Sequence, residues 1–312
     1  MRYGIIGTGA VGGYYGARLA HAGCDVSFLF HSDYDYVRAH GLRVNSPAGS
    51  FTLGDVRAFS SPADMPVCDV VIVGLKTTNE RLLPTLLPPL LGPDTLVLLI
   101  QNGIGLEEDV QRMFPTVSIA AGLAFICSAK TKPGVVDHFD QGSINIAGYG
   151  HCDMDRLRAV VADFRKAGVE AHETPYGEAR WKKAVWNMPF NGLTVLLEAR
   201  TDELLADDAS AALVRDLMYE VTDAAAACGV ETVGRAFADK MISYTRSMVP
   251  YAPSMKVDYD LRHPMEIHYL YTRPIAVARE AGYEMKRMEM LRDALIFKQR
   301  RSLGLSAPAG KA

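Results

Sequence analysis

The chain has few cysteines, no block of like charge and no long apolar run, and each absence excludes a class of protein. Its five cysteines in 312 residues include no C-x-x-C pair, so the sequence indicates neither a metal site nor a disulfide framework. A net charge of -3 without a basic stripe gives nucleic acid no surface to bind, and we expect no such partner.

Membrane spans and export signals are missing as well. The leucine-rich stretch from Leu82 to Leu91 is broken by prolines and is shorter than the roughly 18 apolar residues of a membrane span. The N-terminus enters a short strand without the longer apolar region of a secretory signal. We therefore expect a cytoplasmic protein with reduced thiols and no membrane partner.

What the chain does have is apolar content and length for a large core. Apolar residues make up 49% of it, and its length suggests two domains. In the first half, β-branched runs at residues 3–6, 25–30, 70–73 and 96–100 predict buried strands that alternate with helices, the pattern of a parallel sheet. Runs at 134–139 and 143–147 predict a hairpin near the sheet edge, and 169–172 a last strand.

Beyond Gly177 only helical periods remain. One apolar face is predicted from Leu213 to Ala224, with Gly229 ending the helix. Pro264 suits the first turn of a helix that runs to Gly282, and Pro274 inside it must bend it or free a carbonyl. We therefore predict an α/β N-terminal Rossmann domain with a mostly parallel sheet (1–174), an all-helical C-terminal domain (175–305) and a frayed tail (306–312).

A glycine turn carries the strongest functional signal. The motif Gly7-Thr8-Gly9-Ala10-Val11-Gly12 follows a buried strand and opens an apolar helix that reaches His21. Gly7 allows the tight turn, Gly9 lets the backbone approach a pyrophosphate, and Gly12 lets the helix pack on the strand. The motif predicts a bound nicotinamide dinucleotide.

The end of the second predicted strand bears on which dinucleotide is used. A carboxylate usually stands there to bind the ribose 2′-hydroxyl of NAD, but this strand ends Phe28-Leu29-Phe30-His31-Ser32. His31 and Ser32, with Arg38 as a further candidate, can instead hold a 2′-phosphate, which favours NADP. The alternative is that Ser32 caps the next helix, and Asp33 is itself a common capping residue.

A polar row in the helical half offers a proton donor for carbonyl reduction. Lys183, Asn187 and Asn191 are spaced by four and share one helical face amid apolar residues. Hydride transfer to a carbonyl creates negative charge on oxygen, which a lysine and fixed amides can neutralise. The alternative is a solvated lysine with two amides bonded within the protein.

These motifs together resemble the ketopantoate reductases (2-dehydropantoate 2-reductases) over nearly the whole chain. The likeness rests on five ordered motifs, which are the glycine turn, Gly74-Leu75-Lys76, Gln101-Asn102-Gly103-Ile104-Gly105, the Lys183/Asn187/Asn191 helix, and Ser254-Met255 with Asp258 and Met265-Glu266-Ile267. The resemblance implies a C-terminal domain like that of 6-phosphogluconate dehydrogenase. It also implies reduction of a 2-oxo acid by NADPH, and it allows a homodimer through the helical domain.

Carried over by position, the resemblance assigns roles to single residues. Lys183 would be the general acid. Substrate contacts would come from Asn102, Lys183, Asn187, Asn191 and Ser254. Besides the glycine turn, His31 and Ser32, cofactor contacts would come from Lys76, Asn102, Ser128 and Glu266, the last also near Lys183. The alternatives are that Asn102-Gly103 is merely a turn and that Glu266 is a charge in the first turn of a helix.

Three departures from the family pattern leave substrate and cofactor open. His31 stands where many members carry arginine, Glu198 where an asparagine often lies, and Tyr251 where a small polar residue lies. Because a carboxylate near an anionic substrate would repel it, a reductase of another 2-oxo acid or of a β-hydroxy acid is a second hypothesis. A dinucleotide-sensing protein without turnover is a third, and the presence of Lys183 argues against it.

Overall fold

A computed structural model describes residues 1–305 of the chain. Two compact units form it, the first from residues 1–101 and 106–179, the second from 102–105 and from 180 onward. The predicted fold class, a mostly parallel α/β unit followed by a helical one, is confirmed. The predicted domain bounds of 174/175 and 305/306 stay predictions, and the tail 306–312 lies outside the described residues.

The first unit is built on one ten-stranded sheet with the order β4-β3-β9-β8-β7-β6-β1-β2-β5, and β10 pairs with β9. Its strands are β1 (Arg2–Ile6), β2 (Asp25–Leu29), β3 (Leu42–Asn45), β4 (Phe51–Leu53), β5 (Arg57–Phe59), β6 (Cys68–Val73), β7 (Leu91–Leu99), β8 (Ser118–Lys132), β9 (Val135–Tyr149) and β10 (Ala171–Glu173). The centre, β2-β1-β6-β7, is parallel. Apolar residues on both faces explain its burial, as at Val70 to Val73.

Helices connect and cover these strands. They are α1 (Ala10–His21), α2 (Tyr34–His40), α3 (Leu83–Leu86), α4 (Leu106–Met113) and α5 (Met154–Lys166), with 3₁₀ turns at Pro62–Asp64, Thr77–Leu82 and Pro88–Leu90. The proline-broken leucine stretch thus folds as short turns. Parallel strands joined by helices place their carboxyl ends on one edge of the sheet, which is where such folds bind ligands.

The predicted hairpin was wrong in its pairing. The runs at 134–139 and 143–147 belong to the single strand β9, and the hairpin partner is β8, which the sequence did not reveal. The polar stretch between the runs resembles a turn, but it forms a bulge. Gln141 and Gly142 adopt φ of 62° and 113° there, and the register shifts beside them while the strand continues.

The second unit is helical, with no strand in residues 180–305. Its helices are the part of α6 (Tyr176–Leu196) from Arg180, then α7 (Thr201–Ala206), α8 (Asp208–Ala227), α9 (Arg235–Ser247), α10 (Ser254–Asp260), α11 (Arg273–Glu280) and α12 (Lys286–Ser302). The predicted face of α8 is buried at Leu217, Val221 and Ala224, whereas Leu213 is exposed. Gly229, at φ 79°, follows the end of α8.

The predicted helix from Pro264 to Gly282 was wrong at its start. Residues around Pro264 are irregular, and a π-helix over His268–Thr272 leads into α11. Pro274 is the second residue of α11, which continues the π-helix without a break, and the proline lacks the N–H that an uninterrupted α-helix would use there. The wider π turn before it accommodates the proline ring, which would clash with the preceding turn of a regular α-helix.

Among the residues described, none of the helices combines the length and the apolar content that crossing a bilayer requires.

Candidate active site

The glycine turn lies between β1 and α1, and it is shaped by close backbone contacts. Gly7 adopts φ 86°, a conformation that side chains disfavour. A Cβ at Gly7 would overlap the backbone of Leu75, and one at Gly12 would overlap the carbonyl oxygen of Gly7. Glycine at these two positions is therefore required by the fold itself, before any ligand is considered.

Gly9 is different, because a Cβ there would meet nothing within 4 Å. It is the N-cap residue of α1 and offers no side chain to the first N–H groups of the helix, which start at Ala10 and Val11. A helix start with free N–H groups and adjacent open space suits an anionic phosphate. Thr8 does not point into that space, since its hydroxyl donates to the carbonyl oxygen of Leu29 at 2.9 Å. The cradle fits a dinucleotide pyrophosphate.

Ser32 and Asp33, which follow β2, do not have the helix-capping roles that the sequence suggested for them. Asp33 takes the N-cap position of α2, but its side chain does not cap the helix. Its carboxylate accepts from the Ser32 hydroxyl at 3.0 Å and the Gly134 N–H at 3.0 Å, and pairs with Lys130 at 2.7 Å. Ser32 is thus not a helix cap either, and both it and His31 are exposed.

These contacts set the charge of Asp33. Burial alone would raise the pKa of its carboxyl, but the Lys130 ammonium, the Gly134 N–H and the Ser32 hydroxyl together outweigh burial, so the pKa lies below its usual value. The side chain is only 4% exposed. An ionised carboxylate is therefore present after β2, but its oxygens are engaged within the protein.

Two more predicted cofactor contacts lie in the first unit. Lys76 follows β6 by three residues, beyond the carboxyl end of a central parallel strand. Ser128 lies in β8, and its hydroxyl oxygen is buried with no hydrogen-bond partner in the described residues. Because buried polar groups are rarely left unpaired, the Ser128 hydroxyl is a fitting contact for a bound ligand.

Lys183 and Asn187 line one cavity in the second unit. Their spacing of four on α6 brings both to the same face. The remaining lining residues are Gly103, Ile104, Arg180, Ala184, Met188, Tyr269, Leu270 and Pro274. The cavity thus combines a lysine, an arginine and an amide with apolar walls.

The loop after β7 supports this cavity. Gly103 adopts φ 116°, and a Cβ there would overlap the backbone of Tyr269, while the Ile104 N–H donates to the Tyr269 carbonyl at 3.0 Å. Asn102, the predicted cofactor and substrate contact, begins this segment of the second unit. The motif is therefore more than a simple turn, because it packs closely against the π-helix.

Asn191 has a different environment from Asn187. Its amide nitrogen donates to the Asn187 carbonyl at 2.9 Å, and its amide oxygen accepts from the Met255 N–H at 3.1 Å. Only 3% of the residue is exposed. Asn191 thus holds the start of α10, where Ser254 lies exposed.

Glu266 is buried and lies just before the π-helix, so it is not a solvated charge in the first turn of a helix.

Sequence reasoning missed two neighbours of the polar row. Arg180 is almost fully buried and lines the cavity, and its spacing of three from Lys183 was a usable signal. Tyr271 donates its hydroxyl to the Met188 carbonyl at 2.7 Å, a contact that no spacing predicts.

Glu198, the departure that raised doubt about the substrate, is paired. Lys298 lies 2.8 Å from its carboxylate and the Tyr259 hydroxyl donates to it at 3.2 Å. These neighbours, Lys298 first, lower the pKa of the Glu198 carboxyl. Lys298 also donates to the Val195 and Leu196 carbonyls at the end of α6, so the pair belongs to a helix terminus. Tyr251 likewise contributes its carbonyl, which accepts from the Thr201 N–H and hydroxyl.

A Rossmann unit with an open glycine turn, followed by a helical unit with a lysine and an amide in one cavity, defines a two-domain oxidoreductase of the dinucleotide-dependent class. Residues 3–150 match the family model described as ketopantoate reductase PanE/ApbA, and residues 177–299 match the model of its C-terminal part. The chain belongs to the ketopantoate reductase family.

Individual relatives match this chain over nearly all of its length. A 2-dehydropantoate 2-reductase of Nostoc sp. is 45% identical over 304 residues, covering 95% of this chain and 94% of the relative. Solved 2-dehydropantoate 2-reductases from Geobacter metallireducens and Methylococcus capsulatus are 39% and 32% identical, with TM-scores of 0.92 and 0.87. They cover 95% and 97% of this chain, and 99% and 98% of their own. Family and glycine turn together support a nicotinamide dinucleotide as cofactor.

Proposed function

We propose that the chain catalyses the NADPH-dependent reduction of 2-dehydropantoate (ketopantoate) to (R)-pantoate, which supplies pantothenate and coenzyme A synthesis. The observation that carries the proposal is the cavity in which Lys183 and Asn187 lie one helical turn apart. The reductases named above, which the chain matches over nearly all its length, support the same substrate.

In this proposal Lys183 is the general acid. NADPH, held by the glycine turn, would supply the hydride to the carbonyl carbon of the 2-oxo acid. As charge develops on the carbonyl oxygen, the Lys183 ammonium gives it a proton, and the products are the 2-hydroxy acid and NADP⁺. Asn187 orients the substrate by hydrogen bonds, and Ser254 binds its far end. Asn191 helps to position the substrate as well, and through the Met255 N–H its amide oxygen also holds the start of α10, where Ser254 lies.

The remaining residues of the proposal serve the cofactor. The turn from Gly7 to Gly12 would hold the pyrophosphate, and Lys76, Asn102, Ser128 and Glu266 are the further cofactor contacts that the family resemblance implies. The buried Glu266 carboxylate would also hold the Lys183 ammonium in place, as the resemblance implies. His31 and Ser32 would bind at the adenosine ribose.

NADPH is favoured over NADH by the state of Asp33. An NAD-selective site needs a carboxylate that accepts from the ribose 2′-hydroxyl. Asp33 is the first of the two carboxylates that follow β2, Asp35 being the other, and its oxygens accept from Lys130, Gly134 and Ser32. It is therefore unavailable to a 2′-hydroxyl, and its charge is compensated where a 2′-phosphate would lie.

The paired state of Glu198 removes the objection to ketopantoate. A carboxylate that binds Lys298 and Tyr259 at a helix end does not carry an uncompensated charge toward an anionic substrate. We therefore keep ketopantoate as the proposed substrate over another 2-oxo acid. A cytoplasmic location and a homodimer through the helical domain stay predictions.

The test is a steady-state assay of ketopantoate reduction with NADPH and with NADH. We expect kcat/KM for NADPH to be at least about tenfold higher, equivalent to about 1.4 kcal/mol. No turnover of ketopantoate, with turnover of another 2-oxo acid, would reject the substrate. Equal or better use of NADH would reject the cofactor preference.

The same assay tests Lys183 against a matched lysine. Lys183→Ala should lower kcat by about 10² to 10⁴, the usual contribution of a positioned acid, and leave NADPH affinity nearly unchanged. Lys182→Ala, one residue earlier, should cost little, because the Lys182 ammonium lies over the Phe237 ring at 5.8 Å. Similar losses in both variants would mean general damage to α6.

A further inference from the structure

The tip of the β8–β9 hairpin lies against the residues that follow β2. The Lys130 ammonium is 2.7 Å from one oxygen of Asp33, and the Gly134 N–H donates to the same oxygen at 3.0 Å. The Arg43 N–H donates to the Gly134 carbonyl at 2.9 Å, so β3 also holds the tip. The backbone of the tip is thus held by Asp33 and by β3, and the Lys130 ammonium by Asp33.

This tip adjoins the place where the 2′-position of the cofactor ribose is expected. The residues just after the second strand meet that ribose in Rossmann folds, and the Thr8 hydroxyl ties the glycine turn to the end of β2. Ser32 donates to the other oxygen of Asp33 at 3.0 Å. Ser32 and Lys130 therefore flank one carboxylate beside the expected ribose.

The Lys130–Asp33 ion pair leaves the lysine able to bind a phosphate. The Lys130 side chain remains 31% exposed while that of Asp33 is 5% exposed, so the ammonium reaches the surface and the carboxylate does not. A lysine ammonium binds phosphate oxygens as a compact, mobile point charge with three donors. It can keep its contact with Asp33 and donate a second hydrogen outward.

We propose that Lys130 binds the 2′-phosphate of the cofactor and that its ion pair with Asp33 holds it in place for that contact. The inference rests on the proposed use of NADPH. It identifies a specificity-determining residue on the hairpin, far in sequence from the glycine turn and from the strand end where such residues are usually sought.

The test uses two probes that differ only in the 2′-phosphate, adenosine 2′,5′-bisphosphate and 5′-AMP, titrated calorimetrically. Lys130→Met should weaken binding of the bisphosphate by about tenfold or more, the loss of one charge-assisted contact, and leave 5′-AMP unchanged. Lys132→Met, a lysine at the same tip, should change neither. An unchanged bisphosphate affinity in Lys130→Met would overturn the inference.

A double variant distinguishes direct contact between Lys130 and the phosphate from mere neutralisation of the Asp33 charge by Lys130. If Lys130 touches the phosphate, Asp33→Asn with Lys130→Met should bind the bisphosphate as weakly as Lys130→Met alone. If the double variant regains wild-type affinity, Lys130 only neutralises Asp33 and the inference is wrong. Equal wild-type affinity for both probes would instead refute the proposed NADPH preference.

Discussion

Gly9 and Gly12 should fail in different ways when each is replaced by alanine. At Gly12 a Cβ would overlap the Gly7 carbonyl, and because that oxygen belongs to a tight backbone turn it cannot move away. Overpacking of this kind costs about 1–3 kcal/mol, more than the roughly 1 kcal/mol that alanine gains over glycine inside a helix. Gly12→Ala should therefore lower the melting temperature as well as cofactor affinity.

Gly9→Ala should instead leave the fold nearly intact. Its φ of -88° suits alanine, and a Cβ meets nothing within 4 Å. The expected cost is only the poorer N-cap preference of alanine, about 1 kcal/mol or less, a fall in Tm of about 2–4 °C. The new methyl occupies the space proposed for the pyrophosphate, and losing one N–H contact to a charged group weakens binding about ten- to a hundredfold.

Fluorescence titration with NADPH and thermal unfolding, run on the two variants and the wild type, check both expectations. If Gly9→Ala bound NADPH with wild-type affinity, the pyrophosphate would not lie against this turn. If Gly9→Ala were destabilised as strongly as Gly12→Ala, the space beside Gly9 would not be open.

Three further changes test contacts that stabilise the fold. Glu220→Ala removes the carboxylate that accepts from the Arg287 and Met288 N–H groups in the first turn of α12 at 3.0 and 2.8 Å, and should lower the free energy of unfolding by about 2 kcal/mol or more in urea titrations. Tyr271→Phe removes the hydroxyl that donates to the buried Met188 carbonyl at 2.7 Å and should lower the free energy of unfolding by about 1–3 kcal/mol. Tyr219→Phe, at an exposed hydroxyl, should change it by no more than about 0.5 kcal/mol. Equal losses in the two variants would contradict the argument from burial. Because the pKa of Asp33 is lowered in the fold, its contribution to stability is fully present above its unfolded pKa of about 3.9 and is lost as the pH falls through the lower folded pKa. The stability deficit of Asp33→Asn, followed by urea titration, should therefore shrink progressively below about pH 4, and a deficit that does not decrease with falling pH would contradict the ion pair.

Local patterns were sufficient where a segment's own chemistry decides its structure. The strand-turn-helix around Gly7 to Gly12 was readable because steric limits on glycine and burial of a short apolar strand act within a few residues. The face shared by Lys183 and Asn187 followed from helical geometry alone. The family resemblance drawn from ordered motifs was confirmed by the family models.

Local patterns failed where the structure of a segment depends on residues outside it. The stretch Asp140-Gln141-Gly142 has the composition of a turn, yet pairing with β8 holds it as a bulge inside one long strand. Pro264 looks like a helix start, but the residues around it are irregular and the helix begins only at the π turn before Arg273. At the bulge, hydrogen bonds to the distant strand β8 outweigh an intrinsic preference of about 1 kcal/mol per residue.

The sequence by itself determined the fold class, the cofactor cradle and the helix that carries Lys183, since each is encoded by spacing within about a dozen residues. Only the tertiary structure decided what the polar side chains do. Asp33 meets Lys130 and Gly134, Asn191 meets Met255, and Glu198 meets Lys298. Their partners lie about 64 to 101 residues away, and a hydrogen-bonding group takes whichever partner the packed chain brings to it. That choice turned a predicted cap into an ion pair, gave Asn191 a role in supporting α10, and made a doubtful charge part of a helix terminus.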